Sequence, residues 1–270
     1  MSAGRALNVV VTGGSGPSGI AAARALRNAG HTVFTVGSDR PRIEAAAAEA
    51  GSGVTPLVCD LANLAEVRSL HASVHAMLAG TGRAVDGVIH LVGGWRGAKG
   101  ITDQSDEDWE FLERGAITTL RNVTRVFFDD LAASDAGRFA MVSSTAVSKP
   151  TAGGASYVAA KSAAEAWTLA VADGFRKAQA SPGSGANPAG QSSAVEEHSA
   201  LEQHSAAVIF VVKALVDPAM RAKSPERKFP GFTDVEDLAA AAVGLFSSPA
   251  ADLNGQRLLL GPNPNAEPKR

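Results

Sequence analysis

Short apolar, β-branched segments alternate with helical segments along most of this 270-residue chain. The first is 7–12 (LNVVVT), which precedes a helix predicted at 20–29 and a second strand predicted at 31–36 (HTVFTV). Strands that are joined through helices run parallel, and a parallel sheet needs helices on both faces. The pattern predicts an α/β fold, a doubly wound parallel sheet in three layers (α/β/α). It predicts further strands over 55–59, 85–92, 138–143, 207–212 and 257–260, and further helices over 42–50, 64–79, 106–133, 156–178 and 235–246.

The composition excludes some partners. Charged residues make up 19% of the chain and the formal charge is −2, so no clustered basic surface is expected for nucleic acid or an anionic membrane. The single cysteine, Cys59, cannot form an internal disulfide. The first apolar segment is too short for a secretory signal, and no segment approaches the roughly 18 apolar residues of a membrane span. We therefore expect a cytoplasmic protein.

One stretch, 179–205, departs from the alternating pattern. It is rich in Ser, Gly, Pro, Ala and Gln and offers little apolar surface to offset the entropy cost of ordering. We predict a flexible low-complexity insertion there, with a short helix at 195–203 at most. The whole chain, 1–270, is predicted to form one nucleotide-binding domain.

A glycine-rich turn, 12–19 (TGGSGPSG), lies between the first predicted strand and the first predicted helix. It contains Gly14, Gly16 and Gly19 in the spacing G-x-G-x-x-G, which in this context is typical of a dinucleotide site. Glycine lets the backbone approach a pyrophosphate, and the free N–H groups at the start of the helix face the phosphates. We predict a Rossmann-type NAD(P) site; the alternative is an ordinary strand–helix turn.

The residues after the second strand bear on cofactor choice. An acidic residue at the strand end would bind the ribose hydroxyls of NAD, but Gly37 occupies that position. Ser38, Arg40 and Arg42 follow and can bind a 2′-phosphate through charge-assisted hydrogen bonds, although Asp39 would repel it. We predict NADP in preference to NAD. The alternative is that both arginines are solvated side chains that begin a helix.

Tyr157 and Lys161 are four residues apart in a predicted helix and so project from the same face. A tyrosine can give a proton to a developing alkoxide, and a neighbouring cation lowers its pKa toward neutral pH. Ser144 lies 13 residues before Tyr157, after a predicted strand, and can hold the substrate oxygen. Ligands bind at such strand ends in parallel sheets. The alternative for Tyr157 and Lys161 is a surface pair.

Together, TGGSGPSG, Asp60 after the third strand, Ser144 and Tyr157-x-x-x-Lys161 resemble a short-chain dehydrogenase/reductase, from residue 7 to about residue 260. The resemblance implies that Ser144 positions a carbonyl and Tyr157 is the general acid or base. It implies that Lys161 binds the nicotinamide ribose and lowers the pKa of Tyr157. The residues implied to bind the cofactor are Gly13, Ser15, Gly16, Ser18, Gly19, Ile20, Ser38, Arg40, Asp60, Leu61, Leu91, Val92, Gly93, Tyr157, Lys161 and Val216, with Asp60 and Leu61 at the adenine.

The chain departs from that family's pattern at four places. Pro17 replaces a glycine of the phosphate turn and removes one N–H donor. His90 begins the segment His-Leu-Val-Gly, where the family has Asn-Asn-Ala-Gly, and a structural role for it is the favoured interpretation. Ala116 stands where an asparagine often holds a proton-relay water. Lys213-Ala214 and Pro218 replace Pro-Gly and a threonine near the carboxamide, which puts nicotinamide contacts there in doubt.

Loop residues after strand ends are the substrate-pocket candidates: Trp95, Arg96, Thr145, Ala146, Gly153 and Lys213. Trp95 follows two glycines, and a packing role for it is an equal alternative. Trp109 and Trp167 fall within predicted helices and are interpreted as packing residues. No metal site is predicted.

The leading functional hypothesis is a ketone or aldehyde reductase or alcohol dehydrogenase acting on a small molecule. A sugar-nucleotide epimerase or dehydratase on the same scaffold is an alternative, although such enzymes usually add a substrate domain. A non-catalytic nucleotide-binding sensor is the third hypothesis, motivated by Ala116 and by the altered residues near the carboxamide. The resemblance also implies a homodimer or homotetramer assembled through the long helices.

Overall fold

A computed structural model of the protein describes residues 5–80, 84–180 and 203–261. Seven parallel strands form one sheet in the order β3-β2-β1-β4-β5-β6-β9. The order reverses between β1 and β4, which opens a crevice at their carboxyl ends. The strands are β1 Asn8–Thr12, β2 Thr32–Gly37, β3 Val54–Val58, β4 Gly87–His90, β5 Arg138–Ser144, β6 Ala206–Val212 and β9 Arg257–Leu259, and β7 Leu215–Val216 pairs separately with β8 Thr233–Asp234.

Helices cover both faces of the sheet, as the alternation of segments predicted. On one face, apolar residues of α1, α2 and α8 pack on the sheet, and on the other face those of α3, α5 and α6 do so. Strands β1 and β6 are buried along their whole length, as expected for a doubly covered parallel sheet. The predicted three-layer α/β fold is confirmed. The helices are α1 Pro17–Asn28, α2 Arg40–Ala50, α3 Leu64–Leu78, α4 Asp106–Glu113, α5 Thr119–Ala133, α6 Ala155–Ala178, α7 Pro218–Lys223, α8 Val235–Gly244 and α9 Ala250–Leu253.

The prediction of a single long helix over 106–133 is wrong in one respect. A π-helical segment, Arg114–Thr118, separates α4 from α5. Such a segment widens one helical turn and often occurs at functional sites. Here Ala116, within the segment, packs in one apolar cluster with Leu112 and Ala160, against which Tyr157 also packs.

The predicted flexible insertion lies mostly outside the described residues, as does most of the helix predicted at 195–203. The predicted boundaries of the insertion, residues 179 and 205, are too wide. The Gln179 side chain accepts hydrogen bonds from the amides of His204 (3.0 Å) and Ser205 (3.1 Å) and donates one to the Ala132 carbonyl (2.9 Å). Ser205 is fully buried. Residues 179–180 and 203–205 therefore belong to the folded framework.

The pattern of apolar segments missed the elements between β6 and α8. A short strand, β7, and the helix α7 follow β6 directly, and β8 returns to pair with β7. These elements are too short to show a periodic pattern. Leu215 of β7 lines the crevice at the carboxyl end of β6. Among the described residues, no helix has both the length and the apolar character that crossing a bilayer requires.

Candidate active site

The glycine turn packs tightly against the end of β4. Gly13 has a φ of +74°, and a Cβ added to it would lie 2.7 Å from the backbone of Leu91. A Cβ on Gly19 would lie 2.5 Å from the Gly13 carbonyl oxygen. Both positions therefore require glycine, the first for a left-handed backbone and the second for the close approach of α1 to the turn.

The start of α1 is suited to binding an anion. Gly16 is the N-cap residue, and no side chain in the described part of the chain caps this helix end. The amides of Ser18 and Gly19 lack intrahelical acceptors because they belong to the first turn. Pro17 is the first helical residue, where an N–H would have had no intrahelical acceptor, so its loss costs the helix nothing. This geometry fits the pyrophosphate of a dinucleotide.

A cavity of about 740 Å³ extends from this turn across the carboxyl ends of β4, β5 and β6. Ser144, Tyr157 and Lys161 all line it, and the Ser144 side chain is near enough to the Tyr157 hydroxyl to lower its pKa. The Lys161 Nζ donates to the Val142 carbonyl at 2.8 Å. Of the other predicted cofactor residues, those that line the cavity are Gly13, Gly16, Ser18, Leu91, Val92 and Gly93.

Burial shifts the two titrating groups in opposite directions. It raises the pKa of Tyr157 above its ordinary value, although the hydrogen bond with Ser144 lowers that pKa in part. It lowers the pKa of Lys161 to about 8, while the nearby Glu165 carboxylate acts to raise it. The net shift at Tyr157 is opposite to the lowering expected from the sequence, because desolvation of the phenolate is the larger effect.

An ion pair between the buried Glu165 and the exposed Arg257 lies next to Lys161. Glu165, one turn further along α6, accepts a hydrogen bond from Ser143 Oγ (2.5 Å) and pairs with Arg257 Nε of β9 (2.9 Å). The pair ties the helix that carries Tyr157 and Lys161 to strands β5 and β9. Glu165 was not predicted from the sequence; its spacing of four residues from Lys161 was the available signal.

Comparison with known proteins decides the family. The family model described as short chain dehydrogenase matches residues 7–180, which is more than half of the chain. The chain belongs to the short-chain dehydrogenase family. Members of this family are oxidoreductases that use NAD(P).

The short-chain dehydrogenase assignment is accompanied by more distant similarities. Over 161 residues the chain is 29% identical to the NADP-dependent 3-hydroxy acid dehydrogenase YdfG of Salmonella typhi; the match spans 60% of this chain and 63% of that protein. A short-chain oxidoreductase of Pseudomonas aeruginosa PAO1, described as containing an atypical catalytic center, superposes with a TM-score of 0.75 at 16% identity and 97% and 98% coverage. A short-chain type dehydrogenase/reductase of Mycobacterium ulcerans gives 0.73 at 20% identity, with 94% and 88% coverage.

His90, which differs from the pattern of other short-chain dehydrogenases, is buried in a chain of hydrogen bonds. Its Nδ1 lies 2.8 Å from Thr12 Oγ1 and its Nε2 lies 3.2 Å from Thr119 Oγ1. Thr119 donates its own proton to the Gly115 carbonyl, so His90 Nε2 carries the proton that bridges to Thr119. Burial lowers the pKa of His90 to about 3. The neutral ring thus links β1 and β4 to the helix that follows the π-helical segment.

Asp60, which was expected at the adenine, already has hydrogen-bond partners within the protein. Its Oδ2 pairs with Arg114 at 2.6 Å, and its Oδ1 accepts a hydrogen bond from the Ala62 amide at 3.0 Å. Leu61 is buried, and its carbonyl accepts a hydrogen bond from Asn122. Neither Asp60 nor Leu61 lines the cavity, so the structure does not bring these two together with the catalytic candidates.

The residues after β2 are exposed, and their side chains have local partners. Arg40 pairs with Glu44 at 3.3 Å, and Asp39 caps α2 by accepting from the Arg42 amide. Ser38 lies in the exposed bend between β2 and α2. The predicted cofactor residues that do not line the cavity are Ser15, Gly19, Ile20, Ser38, Arg40, Asp60, Leu61 and Val216; Val216 is fully buried, and its neighbour Leu215 lines the cavity instead.

Among the pocket candidates, Trp95, Ala146, Gly153 and Lys213 line the cavity, whereas Arg96 and Thr145 do not. The Arg96 guanidinium lies 4.5 Å from the centre of the Phe111 ring and pairs with Asp108. The sequence analysis missed Gln104. Its side chain accepts from Ser156 Oγ (2.6 Å) and donates to the carbonyl of Gly100 (3.0 Å), which ties the rim of the cavity to the start of α6.

Proposed function

We propose that this chain transfers a hydride between NADP(H) and a carbonyl or alcohol carbon of a small molecule, as a ketone or aldehyde reductase or an alcohol dehydrogenase. The observation that carries the proposal is that Ser144, Tyr157 and Lys161 line the same cavity as the glycine turn. A non-catalytic nucleotide sensor has no need of a proton donor at that place. Family membership supports the redox chemistry.

In this proposal Ser144, Tyr157 and Lys161 have separate roles. A bound nicotinamide supplies or accepts the hydride. Ser144 Oγ donates a hydrogen bond to the substrate oxygen, and Tyr157 gives that oxygen its proton in the reductive direction. The raised pKa of Tyr157 keeps its proton in place at neutral pH. The Lys161 ammonium, whose pKa is about 8, is largely charged at neutral pH and stabilises the phenolate that the transfer leaves.

The test is Tyr157→Phe, which removes the acidic hydroxyl and keeps the ring. We expect turnover of a panel of ketones and aldehydes, followed by NADPH absorbance, to fall by about 10²–10⁴-fold. NADPH binding, followed by fluorescence titration, should persist, because the glycine turn is untouched. A variant that keeps most of its kcat would contradict the proposal. Isomerisation of a substrate without net NADPH consumption would favour the epimerase alternative.

NADP as the preferred cofactor is part of the same proposal. Ser38, Arg40 and Arg42 offer a hydroxyl and two cations near the end of β2. The Asp39 carboxylate, which opposes a 2′-phosphate, is committed to capping α2. The matched relative is itself NADP-dependent by name. A preference for NADH of tenfold or more in a fluorescence titration would refute this assignment.

We further propose that the substrate carries a carboxylate. Lys213 lines the cavity and directly follows Val212, the β6 residue that pairs with Ser144. Its ammonium donates to the Pro230 carbonyl at 3.0 Å and is exposed, so an acid can replace that weak partner. The name of the matched relative, a 3-hydroxy acid dehydrogenase, agrees with an acidic substrate.

Lys213→Met separates this substrate class from the general activity. We expect the KM for a 3-hydroxy acid to rise about 10- to 150-fold, because a charged hydrogen bond contributes about 1.5–3 kcal/mol. The KM for the uncharged methyl ester should stay the same in both proteins. Equal effects on acid and ester would contradict a carboxylate contact at Lys213 and leave the hydride-transfer proposal intact.

A cytoplasmic location and a homodimer or homotetramer are also proposed. The family resemblance supports assembly, and Trp109, Phe111 and Leu169 are large apolar side chains exposed on α4 and α6. Sedimentation of the purified chain tests the assembly, and a monomer at micromolar concentration would contradict it.

A further inference from the structure

Two histidines of α3 and one aspartate of α5 converge outside the catalytic cavity. His71 and His75 are four residues apart on α3, so their rings project from the same side of the helix. The Nε2 atoms of His71 and His75 lie 3.2 and 2.7 Å from one atom, Asp130 Oδ2. The three potential ligand atoms all lie within 4.8 Å of one another.

We propose that His71, His75 and Asp130 form a binding site for one divalent transition-metal ion of the Zn²⁺, Co²⁺ or Ni²⁺ class. Two imidazole nitrogens and one carboxylate oxygen suit these ions, whereas Mg²⁺ and Ca²⁺ prefer oxygen ligands alone. A tetrahedral ion bound at about 2.0–2.2 Å separates its ligand atoms by about 3.3 Å. The 3.2 Å separation at His71 already matches this value, and the 2.7 Å separation at His75 needs a shift of about half an ångström.

The cluster is held in shape by its surroundings. The His71 ring packs edge-on against Phe127, with centroids 5.1 Å apart, and Phe127 is fully buried in the core between the helices and the sheet. The rings of His71 and His75 are 4.2 Å apart. The two histidine side chains are 28% and 39% exposed, so an ion and a water as fourth ligand can enter from solvent.

The position of the site separates it from the oxidoreductase chemistry. Asp130 lies near the end of α5, which leads into the amino end of β5, whereas the catalytic cavity lies at the carboxyl ends of the strands. The three residues do not line that cavity. A bound ion would therefore cross-link α3 to α5 and stabilise the fold, without touching the substrate.

The experiment is a calorimetric titration of the full-length, EDTA-treated and dialysed protein with ZnCl₂ and, separately, NiCl₂. We expect one ion to bind per chain and the melting temperature to rise with added Zn²⁺. Asp130→Asn keeps an oxygen that accepts from a histidine N–H but removes the anionic ligand. It should therefore weaken binding by at least about tenfold, as should His75→Ala.

Matched controls lie next to the site and elsewhere on the surface. Asp129→Asn changes the neighbouring exposed aspartate of α5, and His204→Ala removes an exposed histidine far along the chain. Both should bind Zn²⁺ like the parent protein. The proposal is overturned if the parent shows no saturable binding, or if Asp130→Asn binds as tightly as Asp129→Asn. If His75→Ala fails to fold by circular dichroism, the pair Asp130→Asn and Asp129→Asn still decides the question.

Discussion

At the carboxyl ends of β4 and β5, three side chains that the sequence singled out meet in one buried cavity. Ser144 and Lys161 are 4% and 7% exposed, and Tyr157 lines the cavity beside them. At the carboxyl end of β2, by contrast, Ser38 and Arg40 are exposed and lie outside that cavity. The end of the crevice proposed for the nicotinamide is preorganised, whereas the end proposed for the adenosine depends on surface side chains.

The difference follows from the secondary-structure element to which each residue belongs. Ser144 ends a strand and Lys161 lies on the longest helix, so packed secondary structure fixes both. Arg40 begins a helix at the surface, and its partner there is another exposed side chain, Glu44. Exposed ion pairs contribute little and rearrange easily. Substitutions at the two ends should therefore differ in the size of their effects and in what they change.

Lys161→Met should lower kcat/KM by about 10²–10⁴-fold, the same range as the loss expected for Tyr157→Phe. Stability should not fall with it. The pKa of Lys161 in the fold, about 8, is below the ordinary 10.5, so the unfolded chain binds more protons between those pH values. Burying the charge therefore costs stability fully below pH 8 and progressively less up to pH 10.5. Methionine removes that cost, and the unfolding free energy at pH 7 should rise by at most about 3 kcal/mol.

Urea unfolding at pH 7 and pH 10 measures this effect, and Lys177→Met is the matched control. Lys177 lies on the same helix but is exposed and pairs with Asp173. Its replacement should leave activity and stability nearly unchanged. A loss of stability in Lys161→Met would show that the hydrogen bond to Val142 and the attraction of Glu165 outweigh desolvation.

Ser144→Ala should lower kcat/KM by about 10²-fold and shift the pH profile of alcohol oxidation. The hydrogen bond from Ser144 lowers the pKa of Tyr157, so its removal should raise that pKa further. Oxidation needs the deprotonated tyrosine, so the acid limb of kcat/KM against pH should move to higher pH. Ser148→Ala, an exposed serine in the following turn, serves as control. A limb that moved to lower pH would mean that another group sets the profile.

The nicotinamide end was predictable because its residues are set by local rules. A glycine turn between a strand and a helix, and a tyrosine and lysine at helical spacing, imply their own geometry. The supporting pair of Glu165 and Arg257 could not be predicted in the same way, since the two residues are 92 positions apart. Only the placement of β9 beside β6 brings them together.

The contacts of the residues expected at the adenosine were less predictable, because an exposed side chain can pair with any of several neighbouring groups. Asp60 was expected at the adenine, but the π-helical segment places Arg114 against it. No periodic pattern reveals a π-helical segment, since the apolar positions of 106–133 fit a continuous helix. The boundaries of the insertion were missed for a related reason. The side chain of Gln179, at one end of the predicted insertion, forms hydrogen bonds with His204 and Ser205 at the other end.

Arg114→Ala tests whether the ion pair with Arg114 limits the binding of the cofactor by Asp60. The Asp60–Arg114 pair is exposed, with side-chain exposures of 41% and 61%, and its loss should cost stability little. It releases one oxygen of Asp60, so NADPH should bind up to about fivefold more tightly, whereas Asp60→Ala should weaken binding by a similar factor. Fluorescence titration measures both variants. If both weaken binding equally, Arg114 itself contacts the cofactor and Asp60 merely holds it.

Arg40→Ala should give the smallest effect and bear most directly on cofactor choice. An exposed guanidinium near a 2′-phosphate contributes about 0.2–1 kcal/mol, so the KM for NADPH should rise about threefold at low salt. The KM for NADH should not change, because NADH lacks that phosphate. Glu44→Ala, which frees Arg40 from its partner, should shift the NADPH value in the opposite direction. A loss of more than tenfold would show that this surface arginine is as well organised in the complex as the buried catalytic residues, and the contrast between the two ends would disappear.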